Sequence, residues 1–206
     1  QLHQADLIQC EITPDVEELF ARQERRQSKR RMGMVNPLAF RTPLFNPASS
    51  LNRLYPYLRW VFTTPFLVFT VMVILLGAMS GMQHFNELSQ VARVQLTSPK
   101  YWLIMWLVFP FMKVIHEYAH ALAVRHWGGT VHELGVTLML LMPVPYVDAS
   151  AANLFASKKA RMLVSAAGII AEALLASIAL LIWFNIEDGL VRDIVFVIIM
   201  IGAVST

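Results

Sequence analysis

The sequence predicts an all-α polytopic membrane protein with about four transmembrane helices. Of the 206 residues, 56% are apolar and 15% are charged, whereas soluble domains carry about 25% charged residues. Three stretches are apolar over roughly the 20 residues that a spanning helix needs, and a fourth begins near the end of the sequence. The predicted spans are 58–82, 101–125, 162–184 and the stretch from Ile194 onward.

Polar sequence precedes the first of these spans. Residues 1–57 are expected to form a cytoplasmic basic N-terminal arm and a membrane-surface segment, and residues 58–206 an intramembrane core. The arm starts with a predicted helix that Thr13 caps and whose bases cluster late, as the helix dipole favours. The proline-rich stretch Asn36–Pro56 is expected to be irregular and to lie on the membrane surface. We expect the sequence to belong to a longer chain, with the core truncated at its C-terminus.

Basic residues predict how the helices are oriented. Lysine and arginine are concentrated before the first span and again at Lys158–Arg161, whereas loops 84–100 and 185–193 hold few of them. The positive-inside rule therefore places the N-terminus in the cytoplasm, and a reversed topology conflicts with both basic clusters. Because no aromatic interleaving or DNA-binding motif accompanies the bases, they favour lipid headgroups over nucleic acid.

The second predicted span carries a metal-binding pattern. His116-Glu117-Tyr118-Ala119-His120 matches the His-Glu-x-x-His zinc signature. On a helix, His120 lies about 40° round and ~6 Å along from His116, so both imidazoles can bind one Zn²⁺ ion. Glu117 lies about 100° round, beside the metal, where it can deprotonate a zinc-bound water. The single cysteine in the sequence excludes a thiolate-rich zinc site.

The apolar flanks favour a functional site over a solvated pair of histidines. Ionised groups inside a bilayer cost about 2.5–3.5 kcal/mol each, so they normally face protein or a water-filled cavity. Lys113, about 60° round the helical wheel from His116 and one turn back, is expected to neutralise a buried carboxylate or to stabilise an oxyanion. Glu172 lies on a face of small residues in the third span, and is expected to face the interior in a structural or a catalytic role.

The segment after the motif helix is too short to span a membrane, and Pro143 and Pro145 break any helix there. Residues 131–148 are therefore expected to form a short re-entrant segment or a β-hairpin next to the zinc-site helix. Thr130–Met142, which covers the first part of this segment, is expected to offer an edge strand that holds a substrate in an extended conformation.

A catalytic zinc usually takes three protein ligands, and three residues of the chain are candidates for the third. In an unbroken helix, His126 points about 240° away from His120. Asp188 precedes a glycine and is expected in a turn on the opposite side of the membrane. Asp148, which follows the proline-bent segment on the cytoplasmic side, is the best candidate within the chain.

The motif and the sequence that follows it resemble a known family. His116–Ala123 followed by Gly128-Gly129 looks like the site-2 protease family of intramembrane zinc metallopeptidases. His132–Val136, Met142–Asp148 and Ala166–Gly168 are similar to its bacterial "putative peptide zinc metalloprotease" branch. The resemblance covers most of the chain and is more specific than the zinc motif alone.

The resemblance implies a bacterial inner (cytoplasmic) membrane protein in which both histidines bind Zn²⁺ and Glu117 is the catalytic base. It also implies a membrane-associated strand that holds the substrate beside the site, and an association with a membrane-fusion-type export protein. In the family, the third ligand is an aspartate of an Asp-Gly motif on a later membrane helix. The fourth span runs inward from Ile194 and would reach the depth of the histidines about two turns beyond Thr206, where that ligand is expected.

The leading hypothesis is a zinc metalloendopeptidase that hydrolyses peptide bonds of a membrane-associated protein or peptide substrate. A histidine-rich membrane desaturase or hydroxylase is a second hypothesis, but such di-iron sites need more histidines than the six in this chain. A third hypothesis is a non-proteolytic export or adaptor subunit with a structural or vestigial zinc site, in which Glu117 is dispensable.

Overall fold

The structure, a computed structural model, describes residues 39–139 and 142–205. This part of the chain is mostly helical, as predicted, and it also contains a small sheet. The helices are α1 (Ala48–Leu58), α2 (Thr64–Gln83), α3 (Phe85–Leu96), α4 (Pro99–His126), α5 (Lys158–Trp183) and α6 (Leu190–Ser205), and the strands are β1 (Ala39–Phe45), β2 (Leu134–Met139) and β3 (Met142–Val147). The predicted basic helix that begins near Thr13 lies outside the described residues.

Two of the described helices, α2 and α5, are long and apolar enough to cross a membrane. α2 begins at Thr64, later than the predicted start at Leu58, because Arg59–Phe62 forms a 3₁₀ helix and Thr63 is extended before the proline of the first turn. Large apolar side chains are exposed on the outer face of α2: Leu67, Val68, Phe69, Met72, Leu75 and Met79.

The three strands form one antiparallel sheet in the order β1-β2-β3. β2 and β3 form a hairpin, which is one of the two alternatives predicted for residues 131–148, and they pair Leu134 with Val147. The prediction that Asn36–Pro56 is irregular is wrong for residues 39–56, the part that the structure describes, because they form β1 and most of α1. Its pairing with β2 joins residues such as Thr42 and Val136, which are 94 positions apart, so no local pattern indicates it.

The order of the strands also changes which strand lies at an edge. β2 lies between β1 and β3 and is paired on both sides. The prediction that Thr130–Met142 offers an edge strand is therefore wrong, since a substrate could pair with β2 only by displacing a neighbour. Among the described strands, the edges are β1 and β3.

α4 carries the predicted metal-binding motif and ends where the sequence predicts. Gly128 has a positive φ of 81°, a conformation that glycine adopts without steric cost. The N–H of Gly129 then donates to the carbonyl oxygen of Val124 at 2.9 Å, which satisfies one of the last helical carbonyls. The chain thereby turns from α4 into the hairpin.

α5 is the central helix of the bundle and packs against α2, α4 and α6. Small residues allow these close contacts. A Cβ atom on Gly77 of α2 would lie 2.6 Å from Cβ of Ser177, and one on Gly202 of α6 would lie 2.4 Å from Cβ of Ala176. Of the face of small residues predicted for the third span, Gly168 and Ala176 do lie between helices, as small residues do in helix packing, whereas Ser165 is exposed.

Candidate metal centre

The two histidines of the zinc signature point toward each other from successive turns of α4. Nε2 of His116 lies 3.0 Å from Nε2 of His120. Two imidazole nitrogens on one tetrahedral zinc ion, each about 2.05 Å from the metal, are separated by about 3.3 Å. A shift of a few tenths of an ångström would therefore let both nitrogens bind one metal ion.

The ring of His120 is oriented by α5. Its Nδ1 atom lies 2.6 Å from the main-chain carbonyl oxygen of Val164. Because a carbonyl oxygen can only accept a hydrogen bond, Nδ1 carries the proton and Nε2 of the neutral ring carries the lone pair. This tautomer has its free nitrogen directed at His116, as a metal ligand requires.

The ring of His116 faces a carboxylate on its other side. Its buried Nδ1 atom lies 3.2 Å from Oε2 of Glu172. The distance is that of an ion pair, but the angle is not that of a hydrogen bond, so Nδ1 has no hydrogen-bonding partner. The other nitrogen of this ring, Nε2, makes the 3.0 Å contact with Nε2 of His120, and imidazole nitrogens are usual ligands of a zinc ion. The residues present thus fit a metal ion.

A glycine on α5 makes room for the His116 ring. A Cβ atom on Gly168 would lie 2.4 Å from Nε2 and 2.5 Å from Cδ2 of His116. Real Cβ atoms do not approach other heavy atoms this closely, so the helix backbone itself forms the wall behind the imidazole. In the sequence, Gly168 is a small residue on a helix face and part of the Ala166–Gly168 run, but the spacing does not show which side chain meets it.

Glu117 points from α4 to the hairpin. Its Oε2 atom accepts a hydrogen bond from the main-chain N–H of Val147 in β3 at 2.9 Å. The next N–H along the chain, that of Asp148, donates to Glu133 on the other side of the strand. Since successive backbone nitrogens of a strand alternate in direction, the nitrogens at positions 143, 145 and 147 point away from β2.

The outer edge of β3 therefore has few hydrogen-bond donors. Pro143 and Pro145 have no N–H group, and the third outward position is Val147, whose N–H is bound by Glu117. Proline is tolerated at such edge positions because it is not needed in the ladder with the neighbouring strand. The hairpin lies against α4 along this edge, with Glu117 as its polar contact there.

Lys113 and Glu172 form a buried ion pair between α4 and α5. Nζ of Lys113 lies 2.7 Å from Oε1 of Glu172, whose side chain is 0% exposed. Ser205 of α6 donates a hydrogen bond to Oε2 of the same carboxylate. Neutralising a buried carboxylate is the first of the two roles predicted for Lys113. No sequence pattern indicates Ser205, because its contact depends on how α6 packs.

The other candidates for the third ligand have different partners. Nδ1 of His126 lies 3.0 Å from the Tyr55 hydroxyl, and the His126 ring stacks on Phe62 at 4.4 Å between centroids. Asp188 pairs with Arg192. Oδ1 of Asp148 accepts a hydrogen bond from the N–H of Ser150 at 3.0 Å.

No group of three or more histidine, cysteine, aspartate or glutamate side chains within residues 39–139 and 142–205 is arranged to hold a metal ion. The structure thus brings His116 and His120 together, and it does not bring Asp148 into a three-residue group with them.

Comparisons of the chain with protein-family models, with curated proteins and with solved structures give no match.

Proposed function

We propose that this chain is an intramembrane zinc metalloendopeptidase of the site-2 protease type. The observation that supports the proposal best is the pair of Nε2 atoms 3.0 Å apart, with the Nδ1 atoms turned to Val164 and Glu172. A Glu lies next in sequence to the first histidine, as hydrolysis by a metallopeptidase requires. His116 and His120 hold the metal, and Glu117 is the base.

Zinc, when bound, supplies a Lewis acid that polarises a scissile carbonyl and lowers the pKa of water toward about 7. Glu117 accepts a proton from the water that attacks the carbonyl carbon. It then donates this proton to the nitrogen of the leaving amine as the C–N bond breaks, so that one peptide and one water yield a carboxylate product and an amine product.

The position of Glu117 suggests how a substrate enters the site. In the structure its Oε2 atom is held by the Val147 N–H. A substrate carbonyl that accepted this N–H in its place would release Glu117 for catalysis and would hold an extended peptide beside β3. The carbonyls of Pro143 and Pro145 face the same edge and would accept substrate N–H groups, after local separation of β3 from α4.

Two histidines leave the site one protein ligand short of a usual catalytic zinc site. The resemblance to the site-2 protease family suggests an aspartate from sequence that follows Thr206, and Asp148 is the alternative. Asp148→Ala is informative here, because it should leave zinc binding unchanged when the third ligand comes from elsewhere.

Zinc content and peptide cleavage test the proposed function together. The full-length protein, purified in detergent, is expected to hold about one zinc ion per molecule and to cleave a membrane-tethered reporter, with cleavage abolished by a zinc chelator. His120→Ala should lose both zinc and cleavage because it removes one of the two facing nitrogens. His132→Ala is the matched control, because this exposed histidine contacts Thr130 and should keep both.

Other outcomes would favour the other hypotheses. Tight zinc without cleavage of any membrane-associated peptide would favour an export or adaptor subunit. Two iron atoms in place of zinc would overturn the peptidase proposal in favour of an oxidative enzyme.

We also propose that the protein spans the bacterial inner membrane with four helices, α2, α4, α5 and α6, and with its N-terminus in the cytoplasm. Two of them, α2 and α5, are long and apolar enough, and the large apolar side chains exposed on the outer face of α4 support a lipid environment for that helix as well. In this orientation the end of α4 and the hairpin face the cytoplasm.

Cysteine labelling tests this orientation. In a Cys10→Ser background, Thr130→Cys after α4 should react with a membrane-impermeant thiol reagent from the cytoplasmic side. Asn86→Cys, at the start of α3, should react from the opposite side. Both side chains are exposed in the structure, so each position reports topology and serves as a control for the other. The reversed pattern would contradict the proposed orientation.

A further inference from the structure

Glu172 is a fully buried carboxylate that contacts residues of two other helices, α4 and α6. It belongs to α5, and its side chain is 0% exposed. Oε1 lies 2.7 Å from Nζ of Lys113. Oε2 faces both Nδ1 of His116, at 3.2 Å, and the hydroxyl of Ser205. The two oxygens thus have different neighbours: one meets a cation, and the other meets a proposed metal ligand.

Because the two oxygens of Glu172 have different neighbours, the ion pair with Lys113 does not by itself explain why a carboxylate is buried here. A buried ion pair is often no more stable than an apolar pair of the same volume, so stability is a poor reason for its presence. Lys113 compensates the charge at Oε1, and Ser205 holds Oε2 in place. Oε2 is thereby directed at Nδ1 of His116, the ring nitrogen that faces away from His120. A histidine ligand whose second nitrogen faces a carboxylate is fixed in tautomer and orientation, and it becomes a more basic ligand.

We propose that Glu172 is a positioning residue for the metal centre, which holds the His116 imidazole with Nε2 toward the metal while Lys113 compensates its charge. This inference rests on the proposed metal-binding function of His116 and His120. The small rotation that aligns Nδ1 with Oε2 also moves Nε2, so metal binding and the Glu172 contact are coupled. His120 has a different arrangement, because its Nδ1 is held by the neutral carbonyl of Val164.

A purely structural role for Glu172 makes a different prediction for a double variant. Lys113→Met alone leaves the carboxylate uncompensated and is expected to destabilise the protein. Lys113→Met with Glu172→Leu removes both charges, so it should restore the thermal stability of the metal-free protein. If Glu172 served only to pair with Lys113, this double variant would also bind metal as tightly as the wild type.

The measurements are the dissociation constant for Co²⁺ or Zn²⁺, by competition with a chelator, and the visible spectrum of the Co²⁺-loaded full-length protein. We expect the Lys113→Met/Glu172→Leu variant to bind metal about 10–100-fold more weakly than the wild type, with an altered Co²⁺ spectrum. The metal affinity of the Lys113→Met/Glu172→Gln variant should lie between those of the wild type and the leucine double variant. Its amide oxygen can accept a hydrogen bond from Nδ1 of His116 but carries no charge. Glu187→Gln removes an exposed carboxylate and should have no effect.

Should the leucine variant fail to fold, the near-isosteric glutamine variant decides the question. Wild-type metal affinity and an unchanged Co²⁺ spectrum in a folded glutamine or leucine variant would overturn the positioning role and leave the proposed function intact. A wild-type protein that bound neither ion would overturn both.

Discussion

Glu117→Gln is expected to lower the rate of reporter cleavage by about 10²–10⁴-fold, the usual contribution of a general base, and to leave the zinc content unchanged. The amide has nearly the same shape as the carboxylate but cannot accept a proton from water. Because Glu117 is not a metal ligand in the proposed site, the two histidines remain in place. Initial rates with the membrane-tethered reporter and metal analysis of the same preparation measure both effects.

The matched control for this variant is Glu87→Gln, which removes a half-exposed carboxylate on α3 and should leave cleavage unaffected. Cleavage by the Glu117→Gln protein at the wild-type rate would contradict the proteolytic mechanism. Loss of zinc together with activity would show instead that Glu117 holds the metal or the site that surrounds it.

Gly168→Ala should have the second large effect, a loss of metal affinity of at least about 10-fold, comparable to the loss of a residue that orients a ligand. The new Cβ would lie 2.4 Å from Nε2 of His116, so the imidazole must move away from His120. The helix itself should not suffer, because alanine is about 0.5–1 kcal/mol more favourable than glycine within a helix. Metal affinity should therefore fall while metal-free thermal stability changes little.

Gly81→Ala in α2 is the control for this substitution, since its Cβ would meet only the flexible end of Leu180, at 3.2 Å. This variant should keep the metal affinity of the wild type. Tight metal binding by Gly168→Ala would show that the His116 ring of the working protein does not lie against α5, and would contradict the geometry of the site.

The features that depend only on residues close together in the sequence could be predicted. His116 and His120 are one turn apart, so the geometry of a single helix brings their imidazoles together. The end of α4 follows from Gly128, and the short apolar stretch that Pro143 and Pro145 exclude from a helix predicts a re-entrant segment or a hairpin, of which the structure has the hairpin. Each of these predictions uses only the residues of one helix or one short segment and does not depend on how that segment packs against others.

The contacts that surround the histidines could not be predicted in the same way. Gly168, Val164 and Ser205 reach the site only because α5 and α6 pack against α4 with particular rotations. Apolar periodicity shows that a helix is buried, but the side chain that meets each neighbour depends on the crossing angle and on the axial shift. For the same reason, the sequence did not show that Val147 binds Glu117.

The sheet was missed in part for a related reason. β1 pairs with a strand whose residues lie about 90 positions later, as Thr42 and Val136 show, and the prolines of Asn36–Pro56 mask its extended conformation. Proline is compatible with an edge strand when its missing N–H would have pointed outward. Pro43 lies in such a strand, so its presence was consistent with a sheet.

The proline-rich edge of β3 has a consequence for how the protein is made. A hairpin that enters a low-dielectric environment must satisfy every N–H group it brings, and on this edge only the N–H of Val147 needs a partner. The partner, Glu117, is synthesised first, since α4 precedes the hairpin in the chain. In the proposed membrane topology, assembly can therefore follow the order of translation: α4 is inserted first, and the nascent hairpin then docks on a carboxylate that is already present.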